Sequence, residues 1–476
     1  MHPSAPTHPL SVSSEEFRGL AMRVIDLVTD FYAQLGDMRS YPHTSGLQTR
    51  QAFEEALPRQ GIGAGALEAL QSLVQMSRPP SPRFFGYVLG SGEPVAALGD
   101  LLASVLNQNL TAWRSAPAAV VIERVVVSWI AEAIGCAAFT GSLCGGGSSA
   151  NLMALAMARE AGLPANEAGA RPGTVYLSGE AHMSMAKAVG LLGLGRNNLR
   201  FVPVDERLRM RPGELERLIR GDLAAGKHPV AVVASAGTVS TGAVDPLQEI
   251  ASICAGHRLW LHVDGAYGVP AALVCPEKFQ GLELADSLSV DLHKWMYQPV
   301  DCGLLLYKDP VLARTTFSHT GEYARVLDAR DVEGFAFFEE SLELSRRFRA
   351  LKVWLSLRYH GLDAFREAIR ADLGHAADLA DMIRGCPELQ LLAPVELSAV
   401  CFRYRSGSVH SDLDELNNAI LKQVIDNGRV YLSNASVHGQ VALRACFVNH
   451  RTQAADVSEI VTEVLRAARS ILAKRG

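Results

Sequence analysis

Residues 137 to 306 alternate short, almost wholly apolar runs with stretches of helical spacing: Thr174-Val-Tyr-Leu177, Val230-Ala-Val-Val233, Leu259-Trp-Leu-His-Val263, Ser287-Leu-Ser-Val290 and Cys302-Gly-Leu-Leu-Leu306. A strand with one wet face alternates apolar and polar residues, whereas continuous Val/Leu runs require cover on both faces. The intervals leave room for crossover helices, so the pattern predicts a mostly parallel sheet clad in helices. Upstream, residues 1 to 12 are Pro- and Ser-rich and predicted to be disordered. Ser13-Ser-Glu-Glu16 has the form of a capping box, and Phe17, Leu20, Ala21, Val24, Leu27, Val28 and Phe31 follow at helical spacing. Pro79-Pro-Ser-Pro82 breaks the pattern. A long helical region then runs from Pro94 to Gly135, interrupted near Pro117.

The last hundred-odd residues change character. Ala399-Val-Cys-Phe-Arg-Tyr404 predicts a strand. Ser411 is placed to cap a helix carrying Leu413, Leu416, Ile420, Leu421, Val424 and Ile425, closed by Gly428. Val430-Tyr-Leu432 and Val441 to Phe447 predict two more strands, and a final helix aligns Val457, Ile460, Val461, Val464, Leu465, Ala468 and Leu472. A small antiparallel sheet covered by helices accommodates these elements. The predicted division is an N-terminal helical segment over residues 1–92, a large domain over 93–351 and a small C-terminal α/β domain over 352–476.

Composition narrows the class. Of 476 residues, 48% are hydrophobic and 20% charged, with a net charge of −5, which favours a packed globular chain and gives no reason to expect a nucleic acid partner. The cysteines (136, 144, 254, 275, 302, 386, 401 and 446) form no C-x-x-C pair, which speaks against a zinc ribbon or disulfide framework; no metal is expected. The N-terminus lacks a signal-peptide pattern and no apolar run is long enough to span a bilayer, so a soluble protein of the cytoplasm, without membrane contact, is expected.

The candidate chemistry collects at predicted strand ends. Asp264 closes the run at 259–263 and opens a small-residue turn through Ala266, while Lys294 follows the run at 287–290, between His293 and Trp295. In parallel α/β sheets ligands sit beyond the carboxyl ends of the strands, so this carboxylate and amine face one crevice. That pair suits pyridoxal 5′-phosphate, whose carbonyl takes a lysine amine and whose ring nitrogen takes a carboxylate partner. A structural Asp–Lys ion pair and a nucleotide-binding enzyme are the competing readings. Gly145, Gly146 and Gly147 with Ser148 and Ser149 precede a good helix and suit a phosphate, although Gly145-x-Gly147-x-x-Ala150 also satisfies a dinucleotide fingerprint. His182 and Thr238 follow two further predicted strands.

This arrangement resembles the group II pyridoxal-phosphate-dependent decarboxylases, above all the aromatic L-amino acid branch. Its most specific pieces are Leu261-His-Val-Asp-Gly-Ala-Tyr267, Leu292-His-Lys-Trp295 and Leu344-Ser-Arg-Arg-Phe-Arg-Ala-Leu-Lys-Val-Trp354, and the similarity runs from Phe17 to the last helix. The resemblance implies an α/β protein of pyridoxal-phosphate fold type I, with a mostly parallel seven-stranded sheet, acting as a homodimer whose active sites lie at the subunit interface. It implies Lys294 as the Schiff-base lysine, Asp264 on the ring nitrogen, and His182 and Ala266 on the two faces of the ring. Gly147, Ser148 and His293 are then expected at the phosphate and Thr238 near the phenolic side. Tyr323, in the polar segment Thr320-Gly-Glu-Tyr-Ala-Arg, stands where the family has a loop tyrosine that returns a proton to Cα. Tyr87 and Trp113 fall in the expected substrate region.

Two departures stand out. Asp291 replaces an asparagine of the animal aromatic enzymes near the phosphate, where a carboxylate repels unless it points away. Asn109 and Thr111 replace apolar pocket residues. The expected activity is decarboxylation of an aromatic L-amino acid to the amine and carbon dioxide. Four readings compete with it: an aldehyde synthase on the same fold, a decarboxylase of a non-aromatic amino acid, a nucleotide-binding dehydrogenase that leaves Lys294 and Asp264 without a role, and a non-catalytic interaction protein that needs none of these groups.

Overall fold

The structure, a computed structural model, describes residues 8, 10–319, 332–405 and 412–475. Its larger sheet has seven strands: β1 (Thr140–Cys144), β2 (Thr174–Ser178), β3 (Leu199–Val202), β4 (Pro229–Ser235), β5 (Trp260–Asp264), β6 (Ser287–Asp291) and β7 (Gly303–Tyr307). Their order is β1-β7-β6-β5-β4-β2-β3. Strands β3, β2, β4, β5 and β6 run parallel, and β7 lies antiparallel between β6 and β1. Two reversals restore direction, so β1 points the same way as β6. The carboxyl ends of β1, β2, β4, β5 and β6 therefore share one rim.

The five strands expected from apolar runs are present, each buried along most of its length. Two were not expected. Thr140–Cys144 contains small and polar residues that read as part of the glycine loop, and β3 is an edge strand whose Phe201 is exposed and whose Arg200 pairs with Asp222 at 2.8 Å. A half-wet edge needs no apolar run, which is why β3 carries none.

The smaller sheet comprises β8 (Leu389–Leu391), β9 (Ala399–Tyr404), β10 (Ser433–Val437) and β11 (Gln440–Cys446), all antiparallel in the order β10-β11-β9-β8. Helices Leu362–Gly385, Leu413–Asn427 and Ala454–Arg475 cover it, joining Leu416, Ile420 and Val424 to Val457, Ile460 and Val464 in one core. Spacing of three or four places each set on a single helix face. Val430-Tyr-Leu432 is not the strand it was expected to be. Val430 and Leu432 are core residues at the crossing into the sheet, and the strand begins one residue later, turning at His438 and Gly439 with positive φ at both. Ser411 lies outside the described residues; Asp412 caps the following helix by accepting from Glu415 N at 2.9 Å, and Gly428 (φ 70°) closes it.

At the N-terminus, Ser13 Oγ accepts from Glu16 N at 3.1 Å and starts the helix Ser14–Gln34, none of whose residues is buried. The region from Pro94 to Gly135 holds two helices, Pro94–Leu106 and Pro117–Ala133. The break starts earlier than the proline suggested, at Asn107, whose φ of 46° ends the first helix. The segment Leu344–Trp354 works as a clamp. Arg346 pairs with Glu123, both side chains fully buried, and donates to Leu110 O (3.1 Å) and Leu143 O (2.8 Å), while Lys352 Nζ reaches Asp100 at 3.0 Å. Leu143 lies in β1, directly before the glycine loop, so the clamp holds the floor of the rim.

Candidate functional site

A cavity of about 300 Å³ opens at the shared rim. Gly147, Ser148, His182, Thr238, Asp264, Ala266, His293 and Lys294, all expected at a cofactor, line it together, and Asn151, Ser235, Tyr267 and Asp291 join them. Each arrives for a topological reason. Asp264 is the last residue of β5, His182 and Thr238 follow β2 and β4, and Lys294 sits in the helical turn Leu292–Trp295 after β6.

The phosphate end is built by close approach. Gly146 has φ 143°, a region that favours glycine, and a Cβ there would lie 3.3 Å from His293 Cε1. A Cβ on Gly147 would meet Ala266 Cβ at 2.9 Å and Asp291 Oδ2 at 3.0 Å. The helix Gly147–Gly162 starts here, so the N–H groups of Gly147 and Ser148 have no intrahelical acceptor and face the opening with the positive end of the helix dipole. His293 Nδ1 accepts from Cys302 N at 3.1 Å, which leaves its proton on Nε2. Burial lowers the His293 pKa below the usual imidazole value, an effect Asp291 opposes.

Asp264 is held from three sides. Its Oδ1 accepts from Ala266 N and Ser289 Oγ, each at 3.2 Å, and its Oδ2 accepts from Asn151 Nδ2 at 3.1 Å. The competing reading, a structural ion pair between Asp264 and Lys294, is not what the structure shows. Lys294 Nζ lies 2.8 Å from Asp291 Oδ2, so its partner is the carboxylate three residues earlier. Asp291 does not point away from the phosphate end. It lines the cavity, and its buried Oδ1 has no hydrogen-bond partner among the described residues.

His182 Nδ1 accepts from Ser184 N at 3.3 Å and lies 2.8 Å from Ser184 Oγ. An N–H donor facing Nδ1 makes it the bare nitrogen, so Nε2 carries the hydrogen. Burial lowers the His182 pKa, partly offset by Asp264, and favours the neutral ring. Below the site, Tyr267 stacks on Trp295 with centroids 5.3 Å apart, and its hydroxyl lies 2.6 Å from Ser398 Oγ, tying the rim to the smaller sheet's domain.

The family described as "Pyridoxal-dependent decarboxylase conserved domain" matches residues 46–405. The chain belongs to this family. It is 34% identical to an aromatic-L-amino-acid decarboxylase of Bacillus atrophaeus over 97% of each chain, and 30% identical to a 4-hydroxyphenylacetaldehyde synthase of Rhodiola rosea over 94% of each. Among solved structures, Oryza sativa TDC with PLP and tryptamine superimposes with a TM-score of 0.91 at 26% identity, covering 98% of this chain and 100% of that one.

The enzyme is a pyridoxal-phosphate-dependent amino acid decarboxylase, and its cavity fits the cofactor. A helix N-terminus suits the phosphate, a lysine amine suits the carbonyl and a three-donor aspartate suits the ring nitrogen. Bound pyridoxal phosphate draws off the electrons released as the Cα–carboxylate bond breaks. Tyr87 and Trp113 do not line this cavity. Tyr87 is half exposed with its hydroxyl 3.1 Å from that of Tyr431, and Trp113 N donates to Phe335 O at 3.0 Å. Tyr323 lies outside the described residues. Asn151 and His262 were not expected at the site, yet both were legible: Asn151 falls in the first turns of the glycine-loop helix, and His262 sits two residues before Asp264, on the same face of β5.

Proposed function

We propose that the enzyme decarboxylates an aromatic L-amino acid to the amine, with Lys294 as the covalent attachment point for cofactor and Asp264 as the partner of the ring nitrogen. His182 and Ala266 flank the ring, Gly147, Ser148 and His293 hold the phosphate, and Thr238 lies toward the phenolic oxygen. The observation that carries this reading is the meeting of Lys294, Asp264 and His182 in one cavity that opens on an uncapped helix N-terminus. The aromatic preference draws its support from the relatives, among them decarboxylases named for tyrosine and tryptophan. Tyr323 then protonates Cα once carbon dioxide has left, which gives the amine rather than the aldehyde.

The working unit is a homodimer in this reading. Leu98, Leu101, Leu102, Val105 and Leu106 on the helix Pro94–Leu106 are about half exposed, as are Phe17 and Met22 on the first helix, and apolar faces of that extent favour a second copy as cover. Tyr87 and Trp113 then serve the substrate across that interface. A cytoplasmic setting accords with the eight free cysteines, and no helix among the described residues is long and apolar enough to cross a membrane.

A panel of L-amino acids assayed for carbon dioxide, amine and oxygen uptake tests the proposal. Equal yields of carbon dioxide and amine from an aromatic substrate, without oxygen uptake, are expected. Aldehyde with peroxide, or preferential turnover of a non-aromatic amino acid, overturns it.

A further inference from the structure

Behind Asp264 runs a chain of hydrogen bonds whose directions can be assigned. Asn151 Nδ2 faces Asp264 Oδ2 at 3.1 Å and Ser184 Oγ at 3.0 Å. A carboxylate only accepts, so the amide nitrogen must lie on that side and the amide oxygen on the other. That oxygen meets His262 Nε2 at 3.0 Å, so Nε2 carries the hydrogen. His262 Nδ1 is then bare and accepts from Ser287 Oγ at 3.0 Å, which itself accepts from Trp260 Nε1 at 2.9 Å. Every hydrogen from Trp260 to Asn151 points toward Asp264. The second Asn151 N–H goes to Ser184 Oγ, whose hydroxyl is free to donate to the His182 Nδ1 that Ser184 N already marks as the bare nitrogen.

His262 is fully buried and burial lowers its pKa to about 4, so it stays neutral, with no titrating role of its own. A buried polar chain in which each donor has an acceptor rigidifies its members, and a reversed amide would place an N–H against Nε2–H and an oxygen against a carboxylate.

We propose that His262 is a positioning residue: by locking the Asn151 carboxamide it aims Asp264 at the cofactor's ring nitrogen. The inference rests on the assignment of Asp264 to that nitrogen.

The test titrates pyridoxal phosphate onto the full-length apoenzyme and records the bound cofactor's absorption spectrum, with circular dichroism as the check on folding. His262→Leu removes the donor and is expected to weaken binding at least roughly tenfold, about 1.4 kcal/mol, and to change the spectrum. His262→Gln keeps an N–H for Asn151 and is expected to stay within about threefold of the parent. Asn151→Asp puts a second carboxylate against Asp264, with an expected loss of at least roughly tenfold, and decides the matter should His262→Leu not fold. Parent-like affinity and spectrum in either His262→Leu or Asn151→Asp overturn the proposal. Asp264→Asn separates the two levels. If it too is parent-like, the assignment of Asp264 falls and takes the inference with it; if it alone is altered, only the role of His262 falls.

Discussion

Arg346→Met tests whether the clamp beneath the glycine loop is a structural necessity. The guanidinium is fully buried against Glu123, stacks 4.1 Å above the Phe337 ring and donates to the Leu110 and Leu143 carbonyls. Removing one partner of a buried pair leaves a desolvated charge, a loss of about 3–5 kcal/mol. At roughly 2.1 cal/mol/K per residue, unfolding 476 residues releases about 1 kcal/mol/K, so the midpoint should drop by about 3–5 °C. Scanning calorimetry with urea denaturation measures both quantities. Adding Glu123→Gln keeps an acceptor for Leu143 N, which now bonds Glu123 Oε1 at 2.9 Å, but removes the orphaned charge. The double variant should recover at least half of the loss. A single-variant cost under about 1 kcal/mol, or a double variant as unstable as the two singles summed, refutes the reasoning.

Three further outcomes follow from the site. Lys294→Ala should reduce carbon dioxide release to background with the fold intact, since the half-buried amine is no packing element; turnover near the parent rate would remove it from the chemistry. Asp291→Asn should tighten pyridoxal phosphate binding by roughly tenfold in equilibrium titration, because a carboxylate at the phosphate end opposes the dianion; weaker binding would show that the Asp291–Lys294 pair is needed instead. Burial pushes the Asp372 carboxyl up to about 7, although Trp295 Nε1 (2.9 Å) and Tyr297 OH (2.7 Å) donate to it. Against an unfolded value of about 3.9 the folded state holds the extra proton, so this group's contribution falls as pH rises from about 4 to 7. Asp372→Asn should therefore gain on the parent by up to a few kcal/mol between pH 5 and pH 8 in denaturant titrations, and an unchanged difference would refute the shift.

Much of this enzyme is legible without coordinates. The apolar runs at β2, β4, β5, β6 and β7 mark strands covered on both faces, because that burial is a local composition requirement. The strand-end residues Asp264, His182, Thr238 and Lys294 then converge, since parallel strands deliver their carboxyl ends to one rim. The caps at Ser13 and Gly428 are equally local.

What the tertiary structure alone decided depends on contacts far apart in sequence. The antiparallel insertion of β7, which turns β1 and its glycine loop to face Lys294, leaves no mark in an apolar run that reads the same in either direction. Arg346 appears as one arginine among several until Glu123, 223 positions away, is brought against it. The lysine's partner is Asp291 rather than Asp264, because Asp264 is already committed to Asn151, Ser289 and its own turn. The relay through His262 joins residues 111 positions apart. Hydrogen-bond direction is a property of the assembled chain of donors and acceptors, and no single residue's identity carries it.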